Sequence, residues 1–189
     1  MKAIIEANLK EAKEVLDDFI SQPENIAAIE KSALILKESI AIGGKIISCG
    51  NGGSMTDAMH FAEELSGVFR EKRPAIPAIS ISDPSHITCT ANDYGFDSVF
   101  SRFVEGVGQS NDVLLAISTS GNSMNIVKAV EAAKEKGMKV VGLTGKSGGL
   151  LAGMVDSEIR VKGRTHSDRI QEVHIKVLHI LVLLIEQGI

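Results

Sequence analysis

The chain has 189 residues and a net charge of −4, with 20 Lys and Arg against 24 Asp and Glu. Charges of both signs are interspersed, Trp is absent and Tyr occurs once, so there is neither a basic stripe nor a set of stacking rings for nucleic acid to use. A hydrophobic fraction of 44% is ordinary for a globular protein, and this length suffices for one domain, expected over 1–189, that buries about 70% of its unfolded surface.

Residues 2–20 and 24–42 carry apolar side chains at helical spacing and are expected to form two amphipathic helices, with Pro23-Glu24-Asn25 breaking the chain between them. Residues 45–49 follow as a buried strand. Residues 54–66 read as a helix capped by Ser54, with Asp57 three residues on. The next strand is expected at 76–81, then a helix after Pro84 and another over about 96–107. Residues 112–118, DVLLAIS, form a nearly continuous apolar run, as in a strand covered on both faces. A helix over about 123–136 ends at Gly137, strands are expected at 139–143 and 158–161, and residues 165–168 cap a last helix of roughly twenty residues. Strands and helices in alternation imply an α/β protein whose parallel sheet is covered by helices on both faces. Ligands of such sheets sit beyond the carboxyl ends of the strands.

Two segments fall at that edge. In the first, the apolar run 46–49 leads into Gly50, Asn51, Gly52, Gly53 and Ser54, and then into a helix. Strand, glycine turn and helix start present backbone N–H groups to an anion, although a plain turn would use the same glycines. A dinucleotide fingerprint is excluded because its third glycine falls on Met55, and an ATP loop because no Gly-Lys-Ser/Thr follows. In the second, residues 118–123, STSGNS, place four hydroxyls and a glycine at the start of a helix. Helix capping accounts for one or two of these hydroxyls, not four. Short donors without a neighbouring Lys or Arg suit a phosphate monoester better than a nucleoside triphosphate.

His60 and Glu64 stand four residues apart and share a helix face. Such a carboxylate, seen alone, is ordinarily solvated or salt-bridged; its place on the helix leaving the glycine turn makes it a candidate acid/base group. On the last helix His174 and His179 point about 140° apart, and periodicity alone does not choose between them. Cys49 and Cys89 lack metal-type spacing and suit a reducing compartment. The first turns carry Glu6, Glu11 and Glu14, unlike a signal peptide, and His174, Lys176 and His179 interrupt the last apolar run, so no membrane span and a cytoplasmic location are expected.

The segments CGNGGS (49–54), DAMHFAEEL (57–65), AISTSGNS (116–123), GLTG (142–145) and DRIQEVHIKVLHI (168–180) together resemble the SIS (sugar isomerase) domain family, in its sedoheptulose 7-phosphate isomerase branch. The resemblance is collinear over essentially the whole chain. It implies a three-layer fold with a five-stranded parallel sheet and an N-terminal helical hairpin, a homotetramer with active sites between subunits, and no nucleic-acid or membrane partner. It implies conversion of sedoheptulose 7-phosphate to D-glycero-D-manno-heptose 7-phosphate through an enediol, the first step toward ADP- or GDP-heptose for bacterial surface polysaccharide. Substrate contacts carry over to Asn51, Gly52, Gly53, Glu64, Asn92, Asp93, Ser118, Thr119, Ser120, Ser123 and Gln171, and the acid/base pair to Glu64 and His179. One zinc per subunit would be held by His60, Glu64, Gln171 and His179, and Ser54 and Asp168 match positions near the site. The family often has an arginine where this chain has Val68, and Arg70 is the nearest candidate to replace it. The alternative is a SIS module that binds a phosphosugar or a protein without catalysis, as the replication-initiator-associating kind does; Glu64, Gln171 and His179 together favour the enzyme.

Overall fold

The computed structural model describes residues 1–163 and 166–187. Two helices, α1 (Lys2–Ile20) and α2 (Pro23–Ala41), are joined through Ser21 and Gln22. Pro23 opens α2, where its missing N–H costs nothing, and the buried Asn25 amide donates to the Phe19 carbonyl at 2.9 Å to close the corner. Five strands follow: β1 (Ile46–Gly50), β2 (Ala78–Ser80), β3 (Val113–Ser118), β4 (Lys139–Gly145) and β5 (Ser157–Val161). They form one parallel sheet in the order β2-β1-β3-β4-β5, with Ile47 level with Leu114 and Leu114 with Val140.

The alternation of side chains across the pleat builds two cores. Val113, Leu115 and Ile117 of β3 face one layer, made by α1, α2, α3 (Gly53–Ser66) and α7 (Ser167–Glu186). Leu114 and Ala116 face the other, made by α4 (Pro84–Tyr94), α5 (Ser101–Val107) and α6 (Met124–Glu135). This is the expected three-layer architecture. At the amino edge of the sheet the buried Asp112 carboxylate accepts the Lys45 and Gln109 backbone N–H groups, both at 2.9 Å, and pairs with the Lys45 ammonium. That one side chain ties the start of β1 to the start of β3.

Several expected boundaries move. The glycine turn lets α3 begin at Gly53, with Gly52 as its cap residue and no side-chain capping bond, so Ser54 lies inside the helix and does not cap it. Ser123 likewise precedes α6 without a side-chain cap, because its hydroxyl is engaged by Ser118. The continuous helix expected over 96–107 is a 3₁₀ turn, Phe96–Ser98, and the short α5, broken where Val99 and Phe100 enter the core. The strand expected at 76–81 pairs only over β2, flanked by Pro77. The last helix begins at Ser167; of the residues expected to cap it, Thr165 lies outside the described residues.

Both sheet edges are modified. β2 is three residues long. On β5, Glu158 and Arg160 alternate with the core residues Ile159 and Val161 and pair with each other, and Glu158 also accepts the Thr144 hydroxyl at 2.5 Å.

His174 is fully buried between α7 and β4, where its Nε2–H donates to the Thr144 carbonyl at 2.9 Å. Burial pushes its pKa down to about 4. The unfolded chain, whose imidazole titrates near 6.5, therefore takes up the proton first as pH falls, and acid favours unfolding. His174 is expected to remove up to about 3 kcal/mol of stability between pH 6.5 and 4. Urea melts across this window should be less steep in pH for His174→Gln, which keeps a donor for Thr144; parallel curves would show that the imidazole is not held neutral.

Candidate active site

The strand order places β1 and β3 side by side while their connections leave in different directions, so the carboxyl edge opens between them. β1 ends at Gly50, where a Cβ would collide with the backbone of Ser54. Gly52 takes φ 54, in the left-handed region, and accepts the N–H groups of Met55 and Thr56. The chain thus turns sharply into α3. Gly53 lies under the amide of Gln171, which an added Cβ would meet at 2.7 Å. The same amide reaches the Ser54 hydroxyl at 3.5 Å.

The loop after β3 is held by its own hydroxyls. Ser118 Oγ donates to Ser123 Oγ at 3.3 Å and accepts the Gly121 N–H at 3.1 Å. Ser120 Oγ accepts the Asn122 N–H at 3.1 Å, and Thr119 donates to Ser167 at 3.3 Å. Gly121 has φ 66 and packs against the Gly148 carbonyl with no room for a side chain. Asn51 and Asn125 exchange two amide hydrogen bonds, at 2.9 and 2.8 Å, and so lock the two loops together. Between the loops lies a pocket of about 220 Å³ lined by Asn51, Ser54, Ile117, Ser118, Thr119, Ser123, Ser167 and Gln171. Apart from Ile117, the described residues of its lining offer hydroxyl and amide groups and no cation, which suits a phosphate ester held by neutral donors and helix N-termini.

Further along α3 and α7 is a second cluster. His60 Nε2 lies 3.0 Å from Glu64 Oε1. The His179 ring stands edge-on to His60 with centroids 5.1 Å apart, and Phe69 stacks on the His179 ring at 5.7 Å. One ligand atom from each of His60, Glu64 and His179 lies within 4.8 Å of the others. Two imidazoles and a carboxylate are a donor set that suits zinc and leaves a coordination position open. Glu64 has a side chain only 14% exposed, so it is shielded from water. Asp57, on the same stripe of α3 as Glu64, has one carboxylate oxygen enclosed without a partner among the described residues. Desolvation pushes its pKa up to about 6, against the opposing pull of His60.

The candidate residues therefore divide. Asn51, Ser54, Ser118, Thr119, Ser123 and Gln171 line the pocket, with Gly52 and Gly53 forming its turn and Ser120 bracing its rim. His60, Glu64 and His179 meet in the second cluster, whereas Gln171 is turned toward Gly53 and Ser54. Asn92 and Asp93 do not join either group: they are exposed on the last turn of α4, bonded to each other, in the opposite layer. Asp168 is exposed beside Arg169. Val68 is exposed, and the Arg70 guanidinium lies 5.2 Å from the Phe69 ring centroid. The sequence reading missed Ser167, Asn125, Phe69 and Asp57. Ser167 directly precedes the segment 168–180 and could have been found; Asn125 and Phe69 act through partners distant in the chain, and Asp57 is distinguished only by its burial.

A SIS domain family model matches residues 8–145. With the three-layer sheet and the hydroxyl-lined loop at its switch point, this defines a SIS domain. The phosphoheptose isomerases of Escherichia fergusonii and Pectobacterium atrosepticum are each 60% identical over 184 residues, 97% of this chain and 96% and 95% of theirs. The solved structure of phosphoheptose isomerase from Neisseria gonorrhoeae superposes with a TM-score of 0.92 at 36% identity, covering 98% of both chains. That of the Francisella tularensis enzyme gives 0.92 at 37%, covering 98% of this chain and 97% of the other. The chain belongs to the phosphoheptose isomerases, within the SIS domain family.

The contact of Gly53 with Gln171 gives a direct test of the pocket. In Gly53→Ala the Gln171 amide must move away, since a Cβ would stand 2.7 Å from it. The folded state should survive, and KM should rise by about tenfold, equivalent to about 1.4 kcal/mol. An unchanged KM would place substrate away from this turn.

Proposed function

We propose that the protein converts sedoheptulose 7-phosphate to D-glycero-D-manno-heptose 7-phosphate and so supplies heptose for bacterial surface polysaccharide. The observation that carries this reading is the meeting of Glu64, His60 and His179 on the two helices that also wall the hydroxyl-lined pocket. The pocket holds the phosphate through Ser118, Thr119, Ser120 and Ser123 with the α6 N-terminus behind them. The reacting carbons then extend along the groove between α3 and α7.

Ketose–aldose interconversion moves a proton between adjacent carbons through an enediol. Glu64, shielded from water, takes the carbon proton and returns it to the neighbouring carbon. His179 moves protons between the two substrate oxygens, with its ring plane set by Phe69 and His60. Asn51, Gly52, Gly53 and Gln171 orient the sugar chain. Asn92 and Asp93, remote from the pocket within one chain, are supplied to it by a neighbouring subunit of a homotetramer. Exposed Ile4, Ile5 and Leu9 on α1 offer apolar surface for that assembly. Residues 1–189 act as one SIS unit. Among the described residues no helix is long and apolar enough to cross a membrane, and both cysteines are free; a cytoplasmic location fits these facts.

His60, Glu64 and His179 would hold one zinc ion, with Gln171 as a fourth ligand on rotation of its side chain. Bound there, the ion supplies polarisation of a carbonyl and stabilisation of negative charge on oxygen.

Incubation of purified protein with sedoheptulose 7-phosphate should yield the aldose, and Glu64→Gln should lower kcat by about 10²–10⁴-fold while the fold and most substrate affinity remain. Near-normal turnover in that variant removes Glu64 from the mechanism, and binding without turnover in the parent favours the non-catalytic module. Elemental analysis of protein purified without chelator should find about one zinc per chain, lost in His60→Ala and His179→Ala but kept in Cys89→Ser. A fully active preparation free of divalent metal would retire the ion.

A further inference from the structure

Glu64 occupies the last turn of α3, where backbone carbonyls lack intrahelical donors and helices fray. No basic residue stands in that turn. The cation comes from outside the helix. Arg73 folds back so that Nη2 donates to the Glu64 carbonyl at 2.6 Å and Nη1 to the Leu65 carbonyl at 2.7 Å, with Gly67 and Pro74 carbonyls at 3.3 and 3.1 Å. Its Nε donates to Glu186 Oε1 of α7 at 2.8 Å, and the side chains of this ion pair are 10% and 14% exposed. Glu186 lies seven residues beyond His179, two turns on, and therefore on the same face of α7. One guanidinium thus grips the backbone of Glu64 and the His179 face of α7 together. The segment it closes, from Gly67 to Arg73, also carries Phe69, which stacks on His179.

We infer that Arg73, anchored by Glu186, is a positioning residue that sets the spacing between Glu64 and His179. This rests on the assignment of those two as the reacting pair. The planar fork matters as much as the charge, because several carbonyls and one carboxylate are held at fixed angles; a lysine reproduces the charge only. Its favourable position at a helix C-terminus follows from the helix dipole. The pocket that binds phosphate lies at the opposite end of α3, so loosening the clasp should disturb the reacting groups and leave the anchor alone.

The test compares Arg73→Lys, Glu186→Gln and the double variant with the parent and with Glu64→Gln. In Arg73→Lys kcat should fall by about 10–10²-fold, the cost of a misplacement near 1 Å. KM and the inhibition constant of inorganic phosphate should stay within about twofold, because the anchor is untouched. Glu186→Gln should give a smaller loss with the same split, and the double variant no greater loss than Arg73→Lys, since both act through one contact. Unchanged kcat in both single variants, a parallel loss of phosphate affinity, or multiplicative losses in the double variant would overturn the inference. If Arg73→Lys fails to fold, Glu186→Gln decides by the same split. Full turnover in Glu64→Gln would instead overturn the assignment on which the clasp rests, and the inference with it.

Discussion

The sharp turn from β1 into α3 is the constraint on which the site depends. With a side chain at position 50 the strand could not end against the backbone of Ser54, and α3 would leave the sheet on a different line. Because the helix starts so close to the strand, its core stripe of Ala58, Phe61 and Leu65 packs on the sheet. The flanking stripe of Gly53, Asp57, His60 and Glu64 is left to face α7. The absence of a side chain at Gly53 then lets Gln171 approach. Two glycines therefore set both the direction of the helix and its distance from its partner.

The candidate site also divides between kinds of structure. The pocket takes Ser54, Ser167 and Gln171 from helices and the rest of its polar lining from loops, and those loops are braced by short-range hydroxyl bonds and by the Asn51–Asn125 pair, which ties the ends of neighbouring strands. The proposed reacting groups Glu64 and His179 sit on helices, where neighbouring turns fix the direction of each side chain. Preorganisation of both kinds would limit the reorganisation that opposes catalysis. Cys49 shows the complementary case: burial pushes its thiol up to about 12, so a nucleophilic atom next to the first loop remains inert.

Much of the fold was legible because parallel strands buried on both faces write continuous apolar runs. The run 113–118 is buried throughout, and the helices around it keep their period. The hydroxyl-rich loop at the pocket was legible because four hydroxyls in six residues exceed what capping needs. What escaped lies in contacts between distant residues. Asn51 and Asn125 are separated by 74 positions and Arg73 and Glu186 by 113, and neither pair leaves a local pattern. Ser54 misled for a different reason: it has the composition of a cap, but the glycine turn starts the helix one residue earlier, at Gly53. Periodicity did not separate the two histidines of α7; the family resemblance selected His179, and burial separates them in the structure, His174 lying wholly inside the core and His179 beside Glu64.

The two edges of the sheet have a consequence for how copies of this chain can meet. A parallel sheet with exposed borders invites strand-by-strand growth into fibrous aggregates. Here one border offers three residues beside a proline, and the other carries a carboxylate and a guanidinium on the strand itself. Neither is a template for an incoming strand. Any association between copies would therefore fall on helix surfaces, where side-chain shape decides the fit and the sheet, with the loops at its carboxyl edge, need not be disturbed.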